Sequence, residues 1–141
     1  MSAKAFIDTN VFIYRLENLD TRKSAIAEEI IREGIEKGDA CVSFQVVAET
    51  LNTVLRKADI PLDSDSAHDY LQLVLAPLCR IPATMDLYHR ALEIQGRYRY
   101  GFYDALIIAA ALSEGCSRLY TEDMQDGQHI DGLTIVNPFS G

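Results

Sequence analysis

Five acidic residues, Asp8, Glu49, Asp104, Asp123 and Asp126, stand where an apolar segment of the 141-residue chain stops or a helical pattern begins. Asp8 closes the apolar run 3–7, and Glu49 lies about one turn into the helical pattern that follows the run 40–43. Asp104 opens the most apolar helical pattern, and Asp123 and Asp126 follow the short run 118–121. Taken singly, each has an ordinary use. Asp8 can cap a helix, Asp104 can complement a helix N-terminus, Asp126-Gly127 is a turn pair, and Glu49 flanks an apolar stripe. Gathered in one cleft they are another matter, because carboxylates within about 4–6 Å of one another raise each other's pKa unless a cation holds them. Oxygen donors without His or Cys at matching positions select hard ions, Mg2+ or Mn2+, over Zn2+, and His68, His89 and His129 show no ligand spacing. Two such ions can generate a hydroxide, align it with a phosphorus and stabilise the leaving oxygen, which is a route to phosphodiester hydrolysis. Competing chemistries lack their motifs: there is no P-loop, G-x-G-x-x-G, G-x-S-x-G or Cys–His signal. The Asp8-Thr9-Asn10 string also lacks the second Asp of an aspartyl-phosphate phosphatase.

The elements that must position these acids read as alternating short strands and helices. Residues 3–7 form a strand, with a helical pattern from residue 11 onward. Residues 21–37 put Ile26, Ile30, Ile31 and Ile35 on one stripe and stop at Gly38. A strand at 40–43 precedes a helix over 44–58 with stripe Val47, Leu51, Val54, Leu55 and Ala58, closed by Pro61. Asp63, Ser64 and Asp65 cap a helix through Leu75 that Pro77 ends. A short strand follows at 78–81, and Thr84 caps a helix to about Arg97. The helix over 102–114 is apolar almost all round and ends at Gly115, so it belongs in the interior. Strands at 118–121 and 133–136 are separated by a Gly- and Asp-rich turn. This alternation predicts an α/β fold in one domain, 1–141, with a mostly parallel central sheet of about five short strands and helices on both faces. Ligands of such sheets bind at the carboxyl ends of the strands, where the acids sit.

Four segments now carry a resemblance. Phe6-Ile-Asp-Thr-Asn-Val-Phe-Ile-Tyr14, Val46-Val-Ala-Glu49, Phe102-Tyr-Asp-Ala-Leu-Ile-Ile-Ala-Ala-Ala111 and Leu119-Tyr-Thr-Glu-Asp-Met-Gln-Asp-Gly127 resemble, in order, the four acidic motifs of PIN-domain ribonucleases, and within them the VapC-type toxins of toxin–antitoxin modules. The resemblance runs from the first strand to the Ile135-Val-Asn-Pro-Phe139 ending. It implies that Asp8, Glu49, Asp104 and Asp123 bind Mg2+ or Mn2+ and catalyse cleavage, with Asp126 as a fifth ligand and Thr9, Asn10 and Thr121 as supporting polar neighbours. At the fourth motif the turn can present Glu122, Asp123 or Asp126. The implied activity is endonucleolytic cleavage of RNA to a 5′-phosphate and a 3′-hydroxyl. A homodimer and an inhibiting antitoxin are the implied partners. A catalytically inactive PIN-fold RNA-binding or scaffold module is the alternative, and acids in all four motifs count against it. A signalling receiver, also α/β, wants paired acids after the first strand and a late Lys, and has neither here.

For RNA contact, Arg97-Tyr-Arg-Tyr-Gly-Phe-Tyr103 interleaves cations and rings just before Asp104, making Arg97, Arg99, Tyr100 and Tyr103 the expected contacts. The formal charge of −8 excludes a protein that grips RNA through a broad basic face. Setting the five site acids aside leaves 16 acidic against 13 basic residues, so most of the excess belongs to one cleft and RNA binding is expected to depend on metal. Cys41, Cys79 and Cys116, at spacings that suggest neither a disulfide framework nor a zinc site, read as small buried hydrophobes of a reducing compartment. The polar Asp8 and Asn10 exclude a secretory leader core, and the longest apolar run, 105–112, is far below a membrane span. A cytoplasmic protein is expected.

Overall fold

The chain opens on β1 (Ala5–Ile7), α1 (Thr9–Glu17), α2 (Thr21–Lys37), β2 (Ala40–Ser43) and α3 (Phe44–Arg56). It continues through α4 (Ser64–Tyr70), a π-helical turn (Leu71–Leu75), α5 (Ala76–Leu78), β3 (Cys79–Ile81), α6 (Met85–Tyr98) and α7 (Phe102–Ser113), and closes with β4 (Arg118–Tyr120), β5 (His129–Ile130) and β6 (Leu133–Val136). This is a computed structural model, and it describes residues 3–57, 59–60 and 62–140. The predicted helix end at Ala58 and its closure by Pro61 lie outside the described residues.

The sheet order is β3-β2-β1-β4-β6-β5, parallel except for the β5–β6 hairpin. Connections β1→β2→β3 step one way along the sheet and β3→β4 steps back across β1. By the right-handed crossover rule the two sets of helices therefore cover opposite faces. The order reverses between β1 and β4, whose registered pairs run from Ala5↔Arg118 to Ile7↔Tyr120. That reversal is the switch point where a parallel sheet opens a crevice. Asp8 leaves the end of β1, and Thr121 leaves the end of β4. Every residue of β1 and β2 is buried, as strands covered on both faces require. Residues 105–111 of α7 are also all buried, against α6, β2 and β4.

Several expectations are corrected by packing. On α2 the buried face is Ser24, Ala27, Ile31 and Gly34, whereas Ile35 is exposed. Small residues face inward because the helix lies close to β2: a Cβ on Gly34 would come 2.6 Å from Ala40 Cβ. Gly34→Ala, which in an open helix would stabilise by about 1 kcal/mol, is thus expected to destabilise by about 1–3 kcal/mol, read as a lower urea midpoint. On α3 the buried residues are Gln45, Val46, Thr50 and Val54; of the predicted stripe Val54 is buried, Val47 and Leu51 are half-buried against the core, and Leu55 is exposed. The helix capped by Asp63 does not stop at Pro77. Its hydrogen bonding widens at Leu71–Leu75, with Ala76 N–H bonded to Leu71 C=O, so that Pro77 falls in the first turn of α5, where its missing N–H costs nothing. The turn before β6 holds a sixth strand, β5, closed by Asp131 and Gly132 at positive φ, and two residues are too few to show a period. The three thiols are free, with Cys41 and Cys116 buried at 3.6 Å but Cys79 exposed. No helix among the described residues is long and apolar enough to cross a membrane.

Candidate active site

Asp8 is both a cap and a site residue. Standing at the N-cap of α1, it accepts Thr9 N–H at Oδ1 (2.7 Å) and the Thr121 hydroxyl at Oδ2 (2.8 Å). It is only 6% exposed. Burial pushes its pKa up to about 6; the bonds from Thr121 and Thr9 pull against this, and the charges of Glu49 and Asp123 add to it. Thr121, fully buried, is the hub of the second side. Its hydroxyl oxygen accepts Asn10 Nδ2 (3.3 Å) and Asp123 N–H (3.2 Å), and Asn10 Nδ2 also reaches Asp123 Oδ2 (3.1 Å). Glu49, on α3, accepts the Thr9 hydroxyl at Oε1 (2.9 Å) and Gln45 Nε2 at Oε2 (3.3 Å). Thr9, Asn10 and Thr121 thereby each hold an acid in place.

Asp104 lies in the first turn of α7, half-buried, and lines the same cleft. Its pKa is raised by burial first, then by the charges of Asp123 and Glu49. The cleft, about 590 Å3, is lined by Asp8, Glu49, Asp104 and Asp123 together with Glu17, Glu122, Arg56 and Lys57. Glu17 is paired with Lys57 (2.8 Å). Glu122 is also taken: Lys23 donates to it (2.7 Å) and so does the Tyr14 hydroxyl. Partial burial opposes its charge, yet these two bonds hold it below the usual carboxylate range. At the fourth motif, then, Asp123 is the acid lining the cleft with a carboxylate that no cation neutralises among the described residues.

The fifth predicted acid does not join them. Asp126 is exposed, accepts Asn137 N–H (2.8 Å) and lies outside the cleft lining. Its role is to pin the turn after β4 to the end of β6. None of Arg97, Arg99, Tyr100 and Tyr103 lines the cleft either. Arg97 faces Asp131 (4.0 Å), Arg99 ends α6 in the left-handed region, and the Tyr100 hydroxyl donates to Gln128. Tyr103 is largely exposed beside Asp104. Arg97, Arg99 and Tyr100 serve helix termination and long-range pairing outside the cleft.

Sequence reasoning missed Gln45, one turn before Glu49. Its Nε2 bonds both Glu49 Oε2 and Tyr103 C=O (3.2 Å), tying α3 to the start of α7, and its buried Oε1 has no hydrogen-bond partner among the described residues. An i, i+4 spacing of Gln and Glu on one helix face is a signal that could have found it.

Among the described residues no His or Cys lines this cleft. Its donors are all oxygen, and Asp8 and Asp104 carry charge that burial and their neighbours oppose, a cost that a hard divalent cation relieves. In donor chemistry the residues fit such an ion. Among the described residues no three acidic, His or Cys side chains are gathered at chelating distance; the carboxylates of Asp8, Glu49 and Asp123 are held instead by Thr9, Thr121, Asn10 and Gln45.

Residues 5–126 match the PIN domain family. Among curated proteins no match is found. Among solved structures, the fold is similar to a chain of a toxin–antitoxin complex from Klebsiella pneumoniae, with a TM-score of 0.69 at 18% identity, over 96% of this chain and 98% of that one. It is similar to a chain of DNA-bound VapBC from Salmonella typhimurium, with a TM-score of 0.65 at 19% identity, over 94% and 96%. The Mycobacterium tuberculosis toxin VapC20, described as cleaving the sarcin–ricin loop, matches with a TM-score of 0.60 at 22% identity, over 85% and 90%. These likenesses establish a shared fold.

Proposed function

Because the chain belongs to the PIN domain family, we propose that it is a Mg2+- or Mn2+-dependent endoribonuclease and the toxin of a toxin–antitoxin pair. One observation carries the reading: Asp8, Glu49, Asp104 and Asp123, from four separate elements, line one cleft at the sheet's switch point. These four hold the ions, with Asp8 anchored by Thr9 and Thr121, Glu49 by Thr9 and Gln45, and Asp123 by Asn10. When bound, a pair of divalent ions supplies an activated water and charge stabilisation at the leaving oxygen. The protein's own contribution is alignment: Thr121 and Asn10 fix the spacing between Asp8 and Asp123, and Gln45 fixes that between Glu49 and the start of α7. The printed descriptions of similar structures as toxin–antitoxin assemblies support an antitoxin partner, and the RNA-cleaving description of one neighbour supports RNA as substrate. A homodimer in the cytoplasm completes the proposal.

The test is cleavage of an end-labelled single-stranded RNA by the purified protein. Cleavage with Mg2+ or Mn2+ and none with EDTA is the expected result. Equal cleavage in both would remove the metal mechanism, and none under any condition would remove the nuclease.

A further inference from the structure

The cleft continues past the acids along one face of α3. Glu49, Asn52, Thr53 and Arg56 all line it, at the i, i+3, i+4, i+7 spacing that puts side chains in one row. Along the row the chemistry changes from anionic to neutral to cationic. Arg56 stands about 10 Å along the helix axis from Glu49. We propose that this row is a strand-binding track, in which Arg56 grips the RNA phosphate neighbouring the one cleaved. The inference rests on the nuclease reading above and extends it to substrate contact.

The two cations of the cleft are not equivalent. Lys57 is paired with Glu17 across the gap between α3 and α1, so its charge is already matched. Arg56 has no carboxylate partner among the described residues; its Nε bonds Asn52 C=O one turn back (3.4 Å). That bond steadies the guanidinium while leaving both Nη groups to donate, which suits a phosphate's paired oxygens. The Thr53 hydroxyl is occupied by Glu49 C=O (2.8 Å), so it spaces the row without competing for substrate. The ordinary role of Arg56 is to complement the C-terminus of α3, which predicts a small stability effect and none on RNA.

Steady-state cleavage of a single-stranded RNA in Mg2+ by wild type, Arg56→Ala, Arg56→Lys and Lys57→Ala separates the two roles. The expected result for Arg56→Ala is KM raised about 10-fold with kcat within about 3-fold. The dependence of log kcat/KM on log salt should also become shallower by about one. Arg56→Lys should restore the salt slope but only part of KM, since an ammonium keeps charge without the fork, and Lys57→Ala should move both less. Binding of the same RNA to Asp104→Asn, with and without Arg56→Ala, gives the readout without turnover. Unchanged KM, affinity and salt slope in folded Arg56→Ala would overturn the track while leaving the nuclease standing. A wild type that neither cuts nor binds RNA would overturn both.

Discussion

Asp104→Asn is expected to lower RNA cleavage in Mg2+ by at least about 100-fold, the upper end of what losing a mere outer-shell partner costs a metal site, while circular dichroism and the unfolding midpoint stay at or above wild type. The asymmetry follows from what the carboxylate touches. Asp8, Glu49 and Asp123 each accept at least one hydrogen bond from a neighbouring side chain or backbone N–H. The Asp104 carboxylate accepts none among the described residues, and its charge is opposed by burial and by Asp123 and Glu49. The N-terminus of α7 favours the charge by up to about 1 kcal/mol, against burial and two like charges that oppose it, and a bound cation would be its stronger partner. Removing the charge with an isosteric amide therefore relieves the fold and removes an ion ligand. Asp126→Asn is the internal comparison: its carboxylate serves Asn137 N–H away from the cleft, so activity is expected to stay within about 2-fold, read in the same assay. Full activity in Asp104→Asn, or loss in Asp126→Asn without unfolding, would mean the acids are wrongly assigned.

How much was legible in the sequence tracks how local each cause is. The caps Asp63 and Thr84 and the stop at Gly38 were readable because a cap depends on a few adjacent residues. Three of the cleft acids were readable because Asp8 follows directly on a strand, Glu49 sits in the second turn of its helix and Asp104 in the first. Two kinds of feature were hidden. One is the inward face of α2, where Ser24, Ala27 and Gly34 face the sheet because the backbones come close, while hydropathy favours the larger Ile35. The other is pairing over long separations: Glu122 is withdrawn by Lys23, 99 residues earlier, and Gln45 reaches the Tyr103 carbonyl 58 residues on. That Glu122 is paired with Lys23 while Asp123 lines the same cleft is visible only in the fold.

The second large effect concerns stability against pH. A carboxyl whose pKa rises from 3.8 unfolded to about 6 folded binds its proton more tightly in the native state. Stability therefore falls as pH rises from about 4 through 6, and the full penalty of about 3 kcal/mol is present above that. Acidification to about pH 4 removes it. In EDTA, wild type should lose this increment between pH 4 and 7, and Asp8→Asn should not. The Asn can still accept Thr9 N–H but turns an amide NH2 toward Thr121 where the neutral carboxyl keeps an acceptor, a loss of about 1 kcal/mol. The variant should thus be slightly less stable than wild type near pH 4 and about 2 kcal/mol more stable at pH 7, by urea unfolding at each pH. Divalent ion reverses the order. An ion that binds only the folded state at 100 times its Kd adds about 2.7 kcal/mol, so Mg2+ should raise the Tm of wild type at pH 7 and leave that of Asp8→Asn nearly unmoved. Asp8 is then a residue that weakens the empty fold and strengthens the loaded one. If Asp8→Asn were no more stable at pH 7 without metal, burial would not be opposing the Asp8 charge, and the electrostatic case for a cation at this cleft would fail with it.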